Sequence, residues 1–173
     1  MYLTCQLLTN RITPVSKKTD VRRHREARPA PPPARSAYAT LLSAADRVRA
    51  SFEIVCAPFD ITSQQYNVLR ILRGAEPEGL PTLTIAERMI ERTPGITRMI
   101  DRLEAKGLVA REVRPHDRRC VYCRVTKKGL SLLKLLDDPV EEFNRSAFRA
   151  LSKAELKQFV GLLEKTREVH GSD

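Results

Sequence analysis

The sequence predicts a mainly α-helical fold with one small β-hairpin, and three observations support this class. Apolar residues recur three and four positions apart through most of the chain after residue 37, as amphipathic helices require. Two short segments, 108–113 and 120–125, are instead rich in β-branched and aromatic residues, and a turn loaded with cations separates them. At 173 residues the chain has the length of about one domain and can bury a core.

The first two helices are predicted from their apolar stripes and their ends. A helix is expected over 37–55, and Pro58 ends it. Thr62 and Gln65 have the spacing of a capping box and begin the second helix, which Gly74 ends. The stripe of the first helix comprises Tyr38, Leu41, Leu42, Ala45, Val48, Phe52 and Val55.

A pair of helices follows in the middle of the chain. Thr84 and Glu87 repeat the capping-box spacing and are expected to begin the first of them. Thr93-Pro94-Gly95 supplies a polar cap, a proline suited to the first helical turn and a small residue, so the second helix is expected over Pro94–Lys106. Gly107 ends it. Its buried stripe is predicted to be Ile96, Met99, Ile100 and Leu103, and its outer face Gly95, Thr97, Arg98, Asp101 and Arg102.

Two helices separated by so few residues match a helix-turn-helix, whose second helix enters the major groove of DNA. The two β-prone segments follow this pair directly. The turn between them, 114–119, reads RPHDRR. This layout predicts a winged helix, in which a basic wing tip can reach a neighbouring minor groove.

Two motifs in this region carry a resemblance to a known family. The first is RMIDRLEAKGLV at 98–109, and the second is DRR at 117–119 followed by VTKKG at 125–129. At this spacing the two motifs are fairly specific, and the chain from Ala37 onward resembles the MarR (multiple antibiotic resistance regulator) transcription factors. Cys120 and Cys123 in the wing depart from the pattern of that family. The scaffold predicted for DNA binding does not depend on them.

The outer face of the second helix of the pair supplies the candidates for DNA contacts. An arginine can bind guanine O6 and N7 through two hydrogen bonds, which is worth about 1–3 kcal/mol of discrimination. For Arg98 and Arg102 a phosphate contact or an ion pair on the helix surface is the alternative, with Asp101 and Glu104 as the expected ion-pair partners. The candidates for groove contacts are Thr93, Gly95, Thr97, Arg98 and Arg102.

The wing has roles that the family resemblance implies. In that pattern Asp117 braces the hairpin and Arg119 enters the minor groove, where arginine suits narrow, electronegative A·T tracts. Arg118 is expected to supplement Arg119 at the DNA backbone. The alternative, that these three residues form a solvated turn, is less favoured beside a helix-turn-helix.

The terminal helices carry more apolar surface than a winged helix needs internally. Packing against a second copy of the chain would bury this surface in a two-fold dimer, and the resemblance implies the same arrangement. We therefore expect dimerisation helices over 37–56 and 130–170 and a winged-helix DNA-binding lobe over 60–128, within a MarR-like domain over 37–173. Pro139 is expected to kink or split the helix that begins at Gly129. A monomer with its terminal helices packed on each other is the alternative.

Control by a small molecule is implied by the resemblance alone. In this family the ligand binds where the DNA-binding lobe meets the dimer helices and alters the spacing of the two recognition helices. The residues that could line this crevice are Phe52, Phe59, Tyr66 and Arg70, although an ordinary core role for most of them is the alternative.

The cysteines allow a redox or a metal hypothesis. Cys120 and Cys123 have a metal-like spacing, but residues i and i+3 of a strand point to opposite faces. A structural zinc needs four ligands, and His116 is the only histidine nearby in the sequence. We predict no metal and no cofactor. A thiol sensor at Cys56 or Cys120 stays open, since a thiolate near arginines is activated.

The charge of the chain is unevenly distributed. The net charge is +10, but residues 1–36 hold eight Lys/Arg against two acids, a balance of +6. This segment is also rich in proline, so we expect a disordered tail that buries little apolar surface. A basic arm that adds phosphate contacts is the alternative.

These observations favour one function class. The sequence holds no glycine-rich phosphate loop and no nucleophile elbow, which disfavours an enzyme. No apolar run approaches the length of a membrane helix, and no signal peptide is recognised, so a cytoplasmic protein without a membrane partner is expected. We therefore predict a homodimeric regulator that binds a pseudo-palindromic operator in double-stranded DNA. It is expected to act as a repressor that a small molecule or an oxidant releases. The alternative is a winged-helix architectural or RNA-binding protein without ligand control.

Overall fold

A computed structural model describes residues 32–91, 95–114 and 117–170, without the side chains of Arg114, Asp117–Arg119 and His170. Within these residues the fold is mainly helical with one small sheet, as predicted. The helices are α1 (Pro33–Cys56), α2 (Ser63–Arg73), α3 (Thr82–Arg88), α4 (Ile96–Ala105), α5 (Lys127–Ala147) and α6 (Lys153–His170), and the strands are β1 (Leu80–Pro81), β2 (Val109–Arg114) and β3 (Asp117–Val125). A single turn of 3-10 helix at Ala57–Phe59 joins α1 to the chain before α2.

The sheet has one strand more than the predicted hairpin. Its order is β1-β3-β2 and both pairings are antiparallel, with Leu80 opposite Cys123 and Val109 opposite Val125. The additional strand is β1, which is only two residues long. It is therefore too short to show the alternation of apolar and polar residues by which a sequence pattern reveals a strand. It fixes the start of α3 against the base of the wing.

The helix starts agree with the prediction at some positions and differ at others. The capping box of Thr62 and Gln65 is confirmed by reciprocal hydrogen bonds of 3.2 and 3.1 Å. By contrast, α1 begins at Pro33 rather than at residue 37, because proline is tolerated in a first helical turn. The capping box predicted for Thr84 and Glu87 is wrong, since α3 begins at Thr82 directly after β1 and has no side-chain cap.

The prediction was that Pro139 would kink or split its helix, and the structure excludes the split, because α5 continues through Pro139 as one helix. Proline removes one backbone donor from the helix, but Leu136 and Leu133, about one and two turns earlier, are fully buried and hold the helix against the core. The helix begins two residues before the predicted Gly129, where the Thr126 hydroxyl accepts a hydrogen bond from the Gly129 N–H at 3.1 Å.

The core joins the sheet to α2, α3, α4 and the first half of α5. The predicted stripe of α4 is confirmed, because all four of its residues are at most 9% exposed. Fully burying each such side chain contributes about 1.5–3 kcal/mol. The terminal helices behave differently: α1 contributes one buried residue, Cys56, and the described side chains of α6 contribute none. In the described part of the chain no helix has the length and apolarity needed to cross a membrane.

Candidate nucleic-acid interface

The outer face of α4 is open at the surface. Gly95 stands at the N-cap with φ of +103°, in the left-handed region that favours glycine, and a Cβ there would meet no atom of the described residues within 4 Å. Thr97, Arg98 and Arg102 are exposed on the same side. Among the described residues neither arginine has a salt-bridge partner, so both guanidinium groups are available to an anion. Thr93, the other candidate at this end of the helix, lies outside the described residues.

The second helix of the helix-turn-helix is α4, which we call the recognition helix, and the hairpin of β2 and β3 is the wing. Arg111 of β2 links the two. Its guanidinium lies 2.6 Å from Asp101 Oδ1 and 2.7 Å from Glu104 Oε2, and it donates to the Thr97 carbonyl at 3.3 Å. The prediction that the two carboxylates pair with Arg98 or Arg102 is therefore wrong. Burial alone would lower the pKa of Arg111, but the hydrogen bonds and charges of the two carboxylates outweigh it and raise that pKa above its usual value.

The C-terminal end of α4 is anchored by hydrogen bonds to its carbonyls. Gly107 has φ of +69°, and the N–H groups of Gly107 and Leu108 bond back to the last turn in a Schellman motif. The Thr126 hydroxyl donates to the Gly107 carbonyl and the Lys128 ammonium to the Lys106 carbonyl, each at 2.7 Å. The start of α5 thus holds the helix that presents Arg98 and Arg102.

The wing projects beyond the core. Val113 and Val121 are paired across β2 and β3 and are 58% and 39% exposed, whereas Val109 and Val125 at the base of the hairpin are buried. The roles predicted for Asp117, Arg118 and Arg119 concern side chains outside the described part of the structure. The backbone of these three residues forms the start of β3.

A pocket of about 500 Å³ lies beside the helix-turn-helix, between α1, α2, α5 and the chain after α3. Of the four predicted ligand residues, Phe52, Tyr66 and Arg70 line it. Phe59 does not; the 3-10 turn places it, partly buried, against the core. The pocket is lined by Ala45, Val48, Arg49, Phe52, Ser63, Gln64, Tyr66, Asn67, Arg70, Met89, Ile90, Glu91, Val140, Phe143 and Asn144.

Aromatic rings form one wall of this pocket. The centroid of the Phe52 ring lies 5.3 Å from that of the Tyr66 ring, in an edge-to-face arrangement, and 4.9 Å from that of the Phe143 ring. Burial is the largest influence on Tyr66 and raises the pKa of its hydroxyl, although Arg70 and Arg73 oppose the shift. An apolar ring of a ligand would find suitable stacking partners here.

Two of the three cysteines in the described residues are fully buried. Cys56 is fully buried, and burial together with the charge of Glu53 raises its pKa to about 11. A buried thiol with a raised pKa is a poor oxidant sensor, so burial disfavours the sensor hypothesis at Cys56. Cys123 is also fully buried, whereas Cys120 is partly exposed. Within the described ranges no group of three or more His, Cys, Asp or Glu residues could hold a metal.

The terminal helices leave apolar surface uncovered. On α1, Tyr38 and Ile54 are 68% and 74% exposed, and on α6 Leu162 and Val169 are 55% and 78% exposed. The Phe159 ring of α6 packs near the Phe148 ring, with 6.3 Å between their centroids.

Comparisons with known proteins agree with this architecture. Residues 61–121 match the profile of the MarR family. The homoprotocatechuate degradative operon repressor of Escherichia coli is 29% identical over 124 residues, covering 72% of this chain and 82% of the relative. Two solved structures are also similar. A MarR transcription factor from Planctomyces limnophilus has a TM-score of 0.62 at 40% identity, over 78% of this chain and 98% of that one. BpsR of Bordetella bronchiseptica, whose DNA binding is regulated by 6-hydroxynicotinic acid, has a TM-score of 0.67 at 27% identity. The match covers 76% of this chain and 98% of BpsR.

Proposed function

The chain belongs to the MarR family, and on this premise we propose that it acts as a homodimer on a pseudo-palindromic operator in double-stranded DNA. Membership makes it a DNA-binding transcriptional regulator and not an enzyme. The proposal concerns its assembly, its DNA contacts and its control. One observation carries it: the open face of α4, on which two arginines without a salt-bridge partner among the described residues stand beside an N-cap glycine.

The DNA contacts follow from the geometry of this face. Helix-turn-helix proteins contact bases with the N-terminal residues of the recognition helix. Arg98, in the first turn of α4, is therefore the candidate for a base contact, with Gly95 and Thr97 near it in the chain. Thr93, which lies outside the described residues, is kept as a candidate from the sequence. Arg102 lies one turn later and is assigned to a phosphate, since about half or more of protein–DNA hydrogen bonds go to the backbone.

The exposed apolar surface of the terminal helices supports the homodimer. The described side chains of α6, over residues 153–169, include none that is buried, and its apolar side chains need a partner that covers them. A second copy of the chain is the economical partner, because most soluble oligomers are symmetric dimers. The two copies of α4 would then face successive major grooves, with half-sites about 10 base pairs apart.

The wing is assigned to the minor groove by family resemblance. Arg119 is the residue proposed to enter it, with Arg118 at the backbone and Asp117 bracing the hairpin. Arginine in a narrow minor groove reads A·T-rich shape rather than individual bases. Arg119→Ala should therefore weaken operator binding; an unchanged affinity would remove the minor-groove assignment.

The aromatic-walled pocket is the proposed effector site. Its position between α1, α5 and the helix-turn-helix would let a ligand change the relative placement of dimer helices and recognition helices. BpsR and the E. coli repressor support control by a small molecule and a repressing outcome, respectively. A ligand shifts this equilibrium only if it prefers one arrangement over the other.

Selection of bound genomic fragments, followed by affinity measurements across salt concentrations, tests the function. We expect a selected site to bind about 10³-fold or more tightly than random duplex, the ratio typical of specific regulators. Structured RNA should bind no better than random DNA. A ratio near one would instead indicate an architectural or RNA-binding protein.

A further inference from the structure

Val113 of β2 and Val121 of β3 form an apolar pair toward the tip of the wing, which we call the valine patch. The two residues are opposite each other and are the last pair in the regular register, since Arg114 is instead opposite Asp117. Their side chains are 58% and 39% exposed, although both are branched hydrocarbons. Two such side chains facing each other across the strands make one continuous apolar surface.

The alternation of side chains along a strand places the valine patch on the side of the wing that faces α4. Val109, Arg111 and Val113 lie on the same face of β2. Val109 is buried in the core, and the Arg111 guanidinium donates to the carbonyl of Thr97 in the first turn of α4. Val113 is two residues, or about 7 Å, farther along the strand than Arg111. The valine patch therefore borders the space between the wing and the start of α4.

This space has the right position for one strand of the DNA backbone. With α4 in the major groove and the wing in the neighbouring minor groove, one sugar–phosphate backbone lies between the two elements, because a single backbone separates adjacent grooves. The carboxylates of Asp101 and Glu104, which border the same space, lie 2.6 and 2.7 Å from the Arg111 guanidinium. Their charge is thus partly compensated where the backbone would pass.

The chemistry of the valine patch favours the sugars of this backbone over its phosphates. Methyl groups cannot donate a hydrogen bond, and a phosphate oxygen that loses water without gaining a partner is destabilised. Deoxyribose instead presents C–H groups, and removing two apolar surfaces from water together is favourable.

We propose that Val113 and Val121 pack against deoxyribose groups of the backbone strand that runs between α4 and the wing. The contact adds affinity that depends on neither the base sequence nor the release of counterions. It supplements the contacts assigned to the arginines, which act on bases and phosphates. This inference rests on the placement of α4 and the wing in the proposed function and adds a contact to it.

Hydroxyl-radical footprinting on the selected operator tests the contact at the sugars themselves, because the radical cleaves DNA by removing deoxyribose hydrogens. At saturating protein, the wild-type dimer should protect a short stretch of the backbone strand beside each wing. The double variant Val113→Ala, Val121→Ala should lose protection on that stretch and keep it over the rest of the half-site. Saturation removes the influence of a weaker affinity from this comparison.

Affinity measured across salt concentrations distinguishes an apolar contact from a displaced wing. Val113→Ala and Val121→Ala should each raise the operator Kd about tenfold, since one methylene-sized contact corresponds to a factor of about four and the dimer has two wings. The slope of log Kd against log salt concentration should keep its wild-type value, because this contact releases no counterions. A displaced wing would lose phosphate contacts, and the slope would become shallower.

Ala110→Val is the matched control for these variants. Ala110 is exposed on the opposite face of β2, and the variant adds there the two methyl groups that Val113→Ala removes. It should leave the operator Kd and the footprint unchanged. Val121→Ile keeps the apolar branch and should bind the operator at least as tightly as the wild-type protein. Urea unfolding measures separately how much the valine pair stabilises the hairpin itself.

Three results would overturn the inference: unaltered sugar protection in the double variant, a shallower salt slope in the alanine variants, or wild-type affinity in both single alanine variants. Each of these leaves specific operator binding by the wild-type protein intact, so the proposed function survives them. Failure of the wild-type protein to prefer any DNA site would contradict the proposed function itself.

Discussion

Arg111 Nη2 and Asp101 Oδ1 lie 2.6 Å apart, joining the first strand of the wing to the outer face of the recognition helix. The same guanidinium holds Glu104 one turn later. Asp101 is thereby neutralised on the face proposed to approach phosphates, and Arg111 adds a polar link between helix and wing to the core that they share.

Arg111→Ala should loosen the wing and expose two uncompensated carboxylates to the DNA. Hydrogen bonds to charged groups contribute about 1.5–3 kcal/mol when buried, and partial exposure reduces this to about 1 kcal/mol of folding stability here. We expect operator affinity to fall about tenfold, because misplacement of the wing and repulsion by the two carboxylates together should weaken binding by about 1.4 kcal/mol. Fluorescence anisotropy and urea unfolding measure the two effects.

Arg145→Ala is the control for that variant, because it removes an arginine from an exposed ion pair on α5 at 2.7 Å from Glu142. Arg145→Ala should change neither the operator affinity nor the free energy of unfolding measurably. If the two variants behaved alike, Arg111 would have no positioning role.

Gly129→Ala should destabilise the joint between α5 and the wing. A Cβ at residue 129 would lie within 2.4 Å of the Leu108 carbonyl oxygen and within 2.7 Å of the Val125 side chain. Such overpacking costs about 1–3 kcal/mol, measurable as a lower midpoint of urea unfolding. At Gly74 the nearest atoms are 3.6 Å away, so Gly74→Ala should unfold at the wild-type midpoint. Equal midpoints for both variants would refute the steric account.

The buried thiol of Cys56 should make the fold sensitive to alkali. Its folded pKa, about 11, lies above the value of 9.0 for an exposed thiol. Stability from the neutral thiol is therefore fully present below pH 9 and lost as pH rises from 9 to 11. Two pKa units correspond to about 3 kcal/mol.

Urea unfolding of the wild-type protein and of Cys56→Ala at several pH values tests this linkage. The wild-type protein should lose more unfolding free energy between pH 9 and 11 than the variant, which lacks the titrating group. Tyrosines titrate in both proteins, so the difference between the curves isolates Cys56. Parallel curves would show that burial does not shift this thiol.

Leu162→Glu should break the dimer, because it places a charge on the uncovered apolar face of α6. Sedimentation at micromolar concentration should give a dimer for the wild-type protein and a monomer for the variant. Leu83→Glu is the control: Leu83 is 75% exposed on α3, away from the terminal helices. A Leu162→Glu protein that sediments as the wild type does would place the interface elsewhere.

The local parts of the fold could be predicted from the sequence. The stripe of α4 follows from helical spacing alone, and the capping box of Thr62 and Gln65 follows from a spacing of three residues. The same signature at Thr84 and Glu87 failed, because β1 pairs with β3 and starts the next helix earlier. That pairing joins residues about 40 positions apart and leaves no local signal.

The contacts that connect elements could not be predicted for the same reason. Asp101 and Glu104 were expected to pair with arginines of their own helix, but the hairpin brings Arg111 to them. Arg49 and Glu91 are 42 positions apart in the sequence, and only the packing of α1 beside the helix-turn-helix brings them together. Phe59 has the chemistry of a pocket residue, yet the 3-10 turn directs it to the core.

The spacing of the operator half-sites tests the central claim, that paired copies of α4 deliver Arg98 to successive major grooves. Once the operator is selected, inserting about 5 base pairs between its half-sites turns the second one to the opposite side of the duplex. Anisotropy titrations should then give an affinity close to that of a single half-site. An affinity equal to that of the unaltered operator would contradict the account.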